Sequence, residues 1–304
     1  SSIIKSNAIE LATALVKQTS DTLYETVNRL YVSMDSITSN RLMSVATYTD
    51  DIAGYIEDKK ASVDSVEFFA GINSMIDGEF ITAVRIYLPD DEHTGITREF
   101  LEANYPGNEL LGVESDITGS YWHGIFDGMP EINSLLCPEF YLTPSEIKEL
   151  GSAAYIREFE NKSNNNSERI YIAIYYDKEY LNDMLKHNLT GGESVYYVIN
   201  ERNAVVATSD EALSGMYMMR YENIPIVIPN EGEFTTGNIL GTDVYFGYSD
   251  IQHTDWRMVR VVPVINVTGT GAAVLKRIVY LYILFLLLAL GLALTLSSNI
   301  AGRL

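Results

Sequence analysis

The chain has 304 residues, 47% of them hydrophobic, with 21 basic against 41 acidic side chains and a net charge of −20. That charge repels phosphate backbones and argues against nucleic acid as a partner. The lone cysteine, Cys137, excludes an internal disulfide framework, and the length allows one large or two smaller domains.

The first predicted element is a long helix. No glycine precedes Gly54 and no proline precedes Pro89. Apolar residues recur in steps of three and four at Ile4, Ala8, Leu11 and Leu15, at Leu23, Val27, Leu30, Met34 and Ile37, and at Val45, Tyr48 and Ile52. This is the stripe of an amphipathic helix. Unbroken, it would run about 55 residues, or roughly 80 Å. Serine and threonine are frequent along it, so packing rather than propensity must stabilise it. We assign residues 1–60 to this spine.

The texture then changes to short elements. "SVEFFAGINSMID" reads as a helix, and "FITAVRIYLPDD" as a strand ending at a Pro–Asp turn. A passage rich in glycine, asparagine and proline follows from Gly95 to about Pro138. "AAYIREFE" and "RIYIAIYYD" then flank the polar loop "NKSNNNS", a strand–loop–strand pattern that completes a first unit, 61–177. "KEYLNDMLKHN" is a helical connector within 178–193. A second unit, 194–270, holds "SVYYVIN" and "NAVVATS" across a turn, then "TDVYFGYSDI" and "DWRMVRVVPV". Short turns between consecutive strands predict antiparallel sheets in both units. The chain ends on "RIVYLYILFLLLALGLALTLSSNIAGRL", whose uncharged run Ile278–Leu296 is long enough to cross a bilayer. We assign 275–297 to a transmembrane helix and 298–304 to the start of a linker. The chain lacks an initial Met and stops just past the span, which suggests an excised piece of a longer protein.

Signatures of enzymatic chemistry are missing. There is no GxSxG, P-loop, HExxH or CxxC. The four histidines, His93, His123, His187 and His253, have no second metal ligand at helical or hairpin spacing. Neither a metal nor a cofactor is expected. What stands out is tyrosine, at 21 residues. Aromatic and charged groups fall together at "RIY" (Arg85 to Tyr87), "YW" (Tyr121, Trp122) and "IYYD" (Ile174 to Asp177, with Tyr175), with Asp127 and Tyr141 nearby in the chain. Apolar rings beside a few charges are the furniture of a small-ligand pocket. Asp177 has two readings, a ligand carboxylate at a strand end and an N-cap of the connector helix.

A long N-terminal helix, two successive PAS-like sheet units and a C-terminal span resemble the double Cache sensor domains of bacterial transmembrane receptors. "DVYFGYSDIQHTDWRMVRVVPV" is similar to the closing hairpin of the membrane-proximal module, and "SVYYVINERNAVVATSDEALSG" to its opening hairpin. Asn203–Ala204 stands where the family usually has Asp or Asn followed by Gly. "SSNIAGRL" resembles the first turn of a HAMP linker. Among such receptors the chain looks most like the YesM-type sensor histidine kinases of two-component systems. The resemblance implies an α+β fold and a non-catalytic sensor lying outside the cell from residue 1 to about 274. It implies a homodimer at a membrane, with a small ligand (a sugar, an amine or amino acid, or an organic acid) in the distal module. Asp177 matches the family's closing aspartate in place. Tyr121–Trp122 falls where a Trp–Tyr pair would, in reversed order and without the accompanying arginine. The alternatives are a methyl-accepting chemotaxis receptor or a diguanylate cyclase, and after them a membrane-tethered hydrolase.

Overall fold

Helix α1, Ser2–Thr38, is built by the apolar stripe found above. Val16, Leu23, Val27, Leu30, Met34 and Ile37 are all essentially excluded from solvent, while Glu25, Arg29 and Asp35 on the other side face it. At 37 residues it is about 55 Å long, shorter than the expected spine. The chain breaks at Ser39–Asn40, where the Asn40 side chain accepts the Leu42 amide at 2.9 Å and caps a new helix, α2, Arg41–Ala46. Asp51 does the same for α3, Ile52–Lys59, by accepting the Gly54 amide at 2.7 Å. Asparagine and aspartate compete with helix propagation through such local bonds. The expected stripe does not continue through the first break: Met43, Ala46 and Ile52 turn inward, whereas Val45 and Tyr48, expected on the buried face, are exposed, because the new helix starts with its own rotation about the axis. The structure, a computed structural model, describes residues 2–49, 51–90, 94–160, 168–187, 194–200, 205–210, 235–239, 242–263 and 279–280.

Helix α4, Val63–Asn73, leads into β1, Ile81–Leu88. Then come α5 (Arg98–Asn104), β2 (Leu111–Val113), α6 (Tyr121–Gly128), β3 (Ser134–Cys137), α7 (Pro144–Glu149), β4 (Ala153–Glu160), β5 (Arg169–Tyr176) and the connector α8 (Lys178–His187). The first sheet has the order β2-β1-β5-β4-β3. It is antiparallel except at one edge, where β2 pairs parallel to β1. That pair departs from the all-antiparallel expectation, because α5 carries the chain back to the start of the sheet between the two strands. The second sheet has the order β7-β6-β10-β9-β8 and is antiparallel throughout. It contains β6 (Val195–Ile199), β7 (Val205–Thr208), β8 (Thr235–Ile239), β9 (Thr242–Asp250) and β10 (Arg257–Pro263).

Strand periodicity assigns the two faces of the first sheet. Val84, Ile86 and Leu88 of β1 with Ile170, Ile172, Ile174 and Tyr176 of β5 turn to the spine, and one apolar cluster continues from there to Tyr196, Val198, Trp256 and Met258 of the second sheet. Helix α1 is therefore a shared wall of both units. Ala83, Tyr87, Tyr171, Ala173 and Tyr175 turn the other way, against α6 and the segment from Cys137 to Leu142. Polar ties hold the spine in register: Arg157 Nη1 donates to Asp35 at 2.9 Å, and Arg29 pairs with Asp77. Among the described residues no helix is long and apolar enough to cross a membrane. Apart from Val279 and Tyr280, the 275–297 segment lies outside the described residues, as does all of 298–304.

Candidate functional site

The second face of the first sheet is where charge and aromatic surface meet. Its organising residue is Glu146, which no sequence motif for ligand binding singled out. Glu146 is the third residue of α7, and with Thr143 it forms a capping box. The Glu146 amide donates to Thr143 Oγ1 at 3.2 Å, and the Thr143 amide donates to Glu146 Oε2 at 2.7 Å. The carboxylate is buried and takes three more donors from elsewhere in the fold. Ser120 Oγ donates to Oε2 at 2.7 Å, Trp122 Nε1 to Oε1 at 3.0 Å, and the Tyr175 hydroxyl to Oε1 at 2.9 Å. The Tyr87 and Tyr175 hydroxyls share a further bond of 2.9 Å. Burial raises the phenol pKa of both tyrosines, so they stay neutral. A buried carboxylate satisfied by four donors is a rigid node, and here it links α6, α7 and β5.

Beside this node a cleft of about 700 Å³ opens along the β1–β2 edge of the sheet, lined among others by Arg85, Tyr87, Asp116, Ser145, Glu146 and Glu149. Gly112 on β2 allows it to form: a Cβ there would stand 2.8 Å from Tyr87 Cδ1, so any larger residue would push the Tyr87 ring out of place. The Arg85 guanidinium is half-buried in this cleft, and its Nη1 donates to the Val84 carbonyl at 3.2 Å. Among the described residues no carboxylate pairs with Arg85, whereas Arg98 at the rim is paired with Asp116. An unpaired, part-buried guanidinium beside a neutral phenol can receive a carboxylate in the two-pronged geometry that arginine favours.

The structure divides the eight sequence-expected residues. Arg85 and Tyr87 line the cleft. Tyr175 and Trp122 stand behind it in the Glu146 network, both with no accessible surface. Tyr121 is the outward neighbour of Trp122 on α6, 60% exposed, with its ring 5.1 Å from that of the buried Tyr141. Asp127 pairs with Arg169 at 2.6 Å and faces His123. Asp177 lies outside the cleft lining. Its Oδ1 accepts from Ser152 Oγ at 3.1 Å and from the Glu179 amide at 3.0 Å, so the structure gives it the capping role at α8. Glu146 had a signal in the sequence, the "TPSE" of a capping box, but that signal announces a helix start and not a tertiary contact.

Similarity to known proteins lies at the level of fold. No family profile matches the chain, and no curated protein does. Solved structures do. The ligand-binding domain of Mlp24 with asparagine superposes with a TM-score of 0.56 at 9% identity, covering 88% of this chain and 98% of that one. The ligand-binding domain of Campylobacter jejuni chemoreceptor Tlp3 with L-valine gives 0.52 at 10%, covering 88% and 99%. That of Pseudomonas fluorescens chemoreceptor CtaA with L-isoleucine gives 0.50 at 14%, covering 88% and 98%. The chain thus has the two-sheet, long-helix α+β fold of ligand-binding sensor domains.

Proposed function

We propose that this chain is the extracellular ligand-sensing part of a transmembrane signalling receptor and that its ligand sits in the cleft floored by Arg85 and Tyr87. The observation that carries this reading is the Arg85 guanidinium, paired with no carboxylate among the described residues, in the lining of a cleft of about 700 Å³. The fold supports it, since the three superposable domains were each solved with a small amino acid. A zwitterion of that size suits the charges present: its carboxylate meets Arg85, and its ammonium faces the rim acid Glu149. A ligand shifts a two-state sensor only through differential affinity. The Glu146 network gives the cleft a rigid back wall through which a change reaches α6 and β5, and β5 packs on the shared spine. The reading includes two copies aligned along α1, and an output that follows the C-terminal apolar segment. The resemblance to YesM-type receptors favours a histidine kinase there over a chemotaxis output.

A thermal-shift panel of amino acids, sugars and organic acids tests the site, because a ligand that binds only the native state raises Tm. Arg85→Ala should abolish the shift while leaving the ligand-free Tm unchanged within a degree or two. A panel with no hit, or a hit that survives Arg85→Ala, overturns the assignment.

A further inference from the structure

His123 lies on α6 directly after Trp122, with its ring packed 6.1 Å from the Trp122 ring and 5.4 Å from that of Tyr171. Only 7% of the residue is exposed. Both ring nitrogens face carboxylates. Nε2 is 3.0 Å from Glu114 Oε1, and Nδ1 is 3.6 Å from Asp127 Oδ2. A neutral imidazole has one N–H and one lone pair. In either tautomer, one of the two carboxylates therefore faces a lone pair at close range. The imidazolium offers an N–H to each, so the geometry is built for the charged form.

The surrounding charges agree. From β5, Arg169 reaches Asp127 with Nη1 at 2.6 Å, and its Nε reaches Glu158 of β4 at 3.2 Å. Tyr171 donates to Glu158 at 3.3 Å, and burial keeps that phenol neutral. With a neutral ring, Asp127 and Glu158 share the one guanidinium while Glu114 faces no cation, and protonation supplies the second positive charge. The Glu114 hydrogen bond outweighs burial and the repulsion of Arg169, raising the affinity of the ring for a proton above that of an ordinary histidine.

The two partners of the ring belong to different elements: Asp127 shares α6 with His123, whereas Glu114 stands on the turn after β2. Glu114 opens the 3-10 turn Glu114–Asp116 that follows β2, and the last residue of that turn, Asp116, lines the cleft. On the other side, Trp122 runs from α6 to Glu146, which also lines it. We propose that His123 is a proton-operated latch: protonated, its charge-assisted bond to Glu114 pins the Glu114–Asp116 turn to α6 and braces the two walls that Asp116 and Glu146 line, and deprotonated, it keeps only a neutral hydrogen bond there and loosens the tie. The effect on ligand rests on the cleft reading above, whereas the titration of the latch does not. Because the folded chain holds this proton more tightly than the unfolded one, the stabilisation is full below the free-histidine value of about 6.5. It is lost as pH rises through the raised folded value, and between the two the folding equilibrium changes about tenfold per pH unit. By reciprocity, a ligand that draws the walls together binds more tightly at the lower pH.

The test is an NMR titration of the imidazole ring signals of the 304-residue chain, with Tm recorded from pH 5 to 9 for wild type, His123→Gln and Glu114→Gln. The signal lost in His123→Gln identifies His123. It should titrate above the free-histidine value of about 6.5 and fall toward it in Glu114→Gln, and wild type should exceed His123→Gln in Tm in acid with the gap closing in alkali. If His123→Gln does not fold, Glu114→Gln decides, since Glu114 is only partly buried and its loss should lower the titration point of a histidine that stands above about 6.5 in wild type. A His123 that titrates at or below that value, or a Tm gap equal at both ends of the range, overturns the latch. L-Isoleucine and L-asparagine added at pH 6 and pH 8 separate the two readings. A shift larger at pH 6 in wild type and independent of pH in His123→Gln supports the coupling, and a shift equal at both pH values in wild type overturns it. No shift at either pH counts against the cleft, while the titration still decides the latch.

Discussion

Replacing Glu146 by alanine is the sharpest probe of how the distal unit is held. The substitution strands the Trp122 Nε1–H and the Tyr175 hydroxyl, on side chains with no accessible surface. Each buried donor left without a partner costs about 1–3 kcal/mol. Ser120 can turn its hydroxyl elsewhere, but the Thr143 amide loses its capping partner, which adds about 1 kcal/mol. The expected loss is about 3–7 kcal/mol, a large fraction of the roughly 5–15 kcal/mol that holds a domain folded. Glu146→Gln should cost less, about 1–3 kcal/mol, because one oxygen still accepts while the amide nitrogen now meets the Thr143 N–H donor to donor. The assay is urea unfolding followed by tryptophan fluorescence. The chain has two tryptophans, Trp122 in the distal unit and Trp256 in the proximal one, so a Trp256→Phe background leaves Trp122 as the reporter. A Glu146→Ala midpoint corresponding to less than about 1 kcal/mol of destabilisation would refute the claim that this carboxylate is the node of the wall.

Gly112→Ala should destabilise the distal unit by about 1–3 kcal/mol through its clash with the Tyr87 ring and weaken any ligand shift; equal Tm and equal shift would show that the ring gives way freely. Asp177→Ala should lower stability by about 1 kcal/mol, from the lost α8 cap, and leave the ligand shift in place, as read by the same thermal panel. Leu30→Ala, on the buried stripe of α1, should cost about 2–5 kcal/mol, measured as the change in urea midpoint. Asp77 is held below the ordinary carboxylate range. Burial pulls it the other way, but the Arg29 side chain and the Phe80 and Glu79 amides prevail. Its contribution is therefore present above the unfolded value and lost as pH falls through the depressed folded one. Asp77→Asn should accordingly flatten the acid limb of the Tm profile between about pH 5 and 3, and an unchanged limb would count against it.

Much of the architecture was legible because it follows from periodicity. The step of three and four from Leu23 to Ile37 became the buried stripe of α1, while nearer the N-terminus Val16 is buried and the expected Leu15 only half-buried. The alternation in "AAYIREFE" and "RIYIAIYY" became β4 and β5 with two distinct faces. The connector and the β6–β7 and β9–β10 pairs fell where their turns placed them. The breaks at Asn40 and Asp51 were missed because apolar spacing does not register a side chain that bonds its own backbone. β8 carried no signal, since "TTGNI" has neither a bulky alternation nor a flanking breaker, and its pairing to β9 is what makes it a strand.

The site divides along the same line. Residue type alone marked Arg85, Tyr87, Trp122 and Tyr175 as chemistry-bearing, because aromatic rings and charges packed into strand ends are unusual wherever they fold. Which of them line a cleft and which stand behind it depended on which sheet face each occupies and on what meets them there. Glu146 reaches Trp122, 24 residues away, and Tyr175, 29 residues away, while His123 sits between Glu114 and Asp127 only because β2 and α6 close on each other. The sequence by itself determined α1, the connector and the long strands, since local bonding and burial periodicity act within a few residues. The tertiary structure alone decided the carboxylate node, the placing of Arg85 in a cleft and the Glu114 contact of the imidazole, since each depends on segments whose local patterns carry no information about one another, whereas Asp127 faces His123 from the next turn of the same helix.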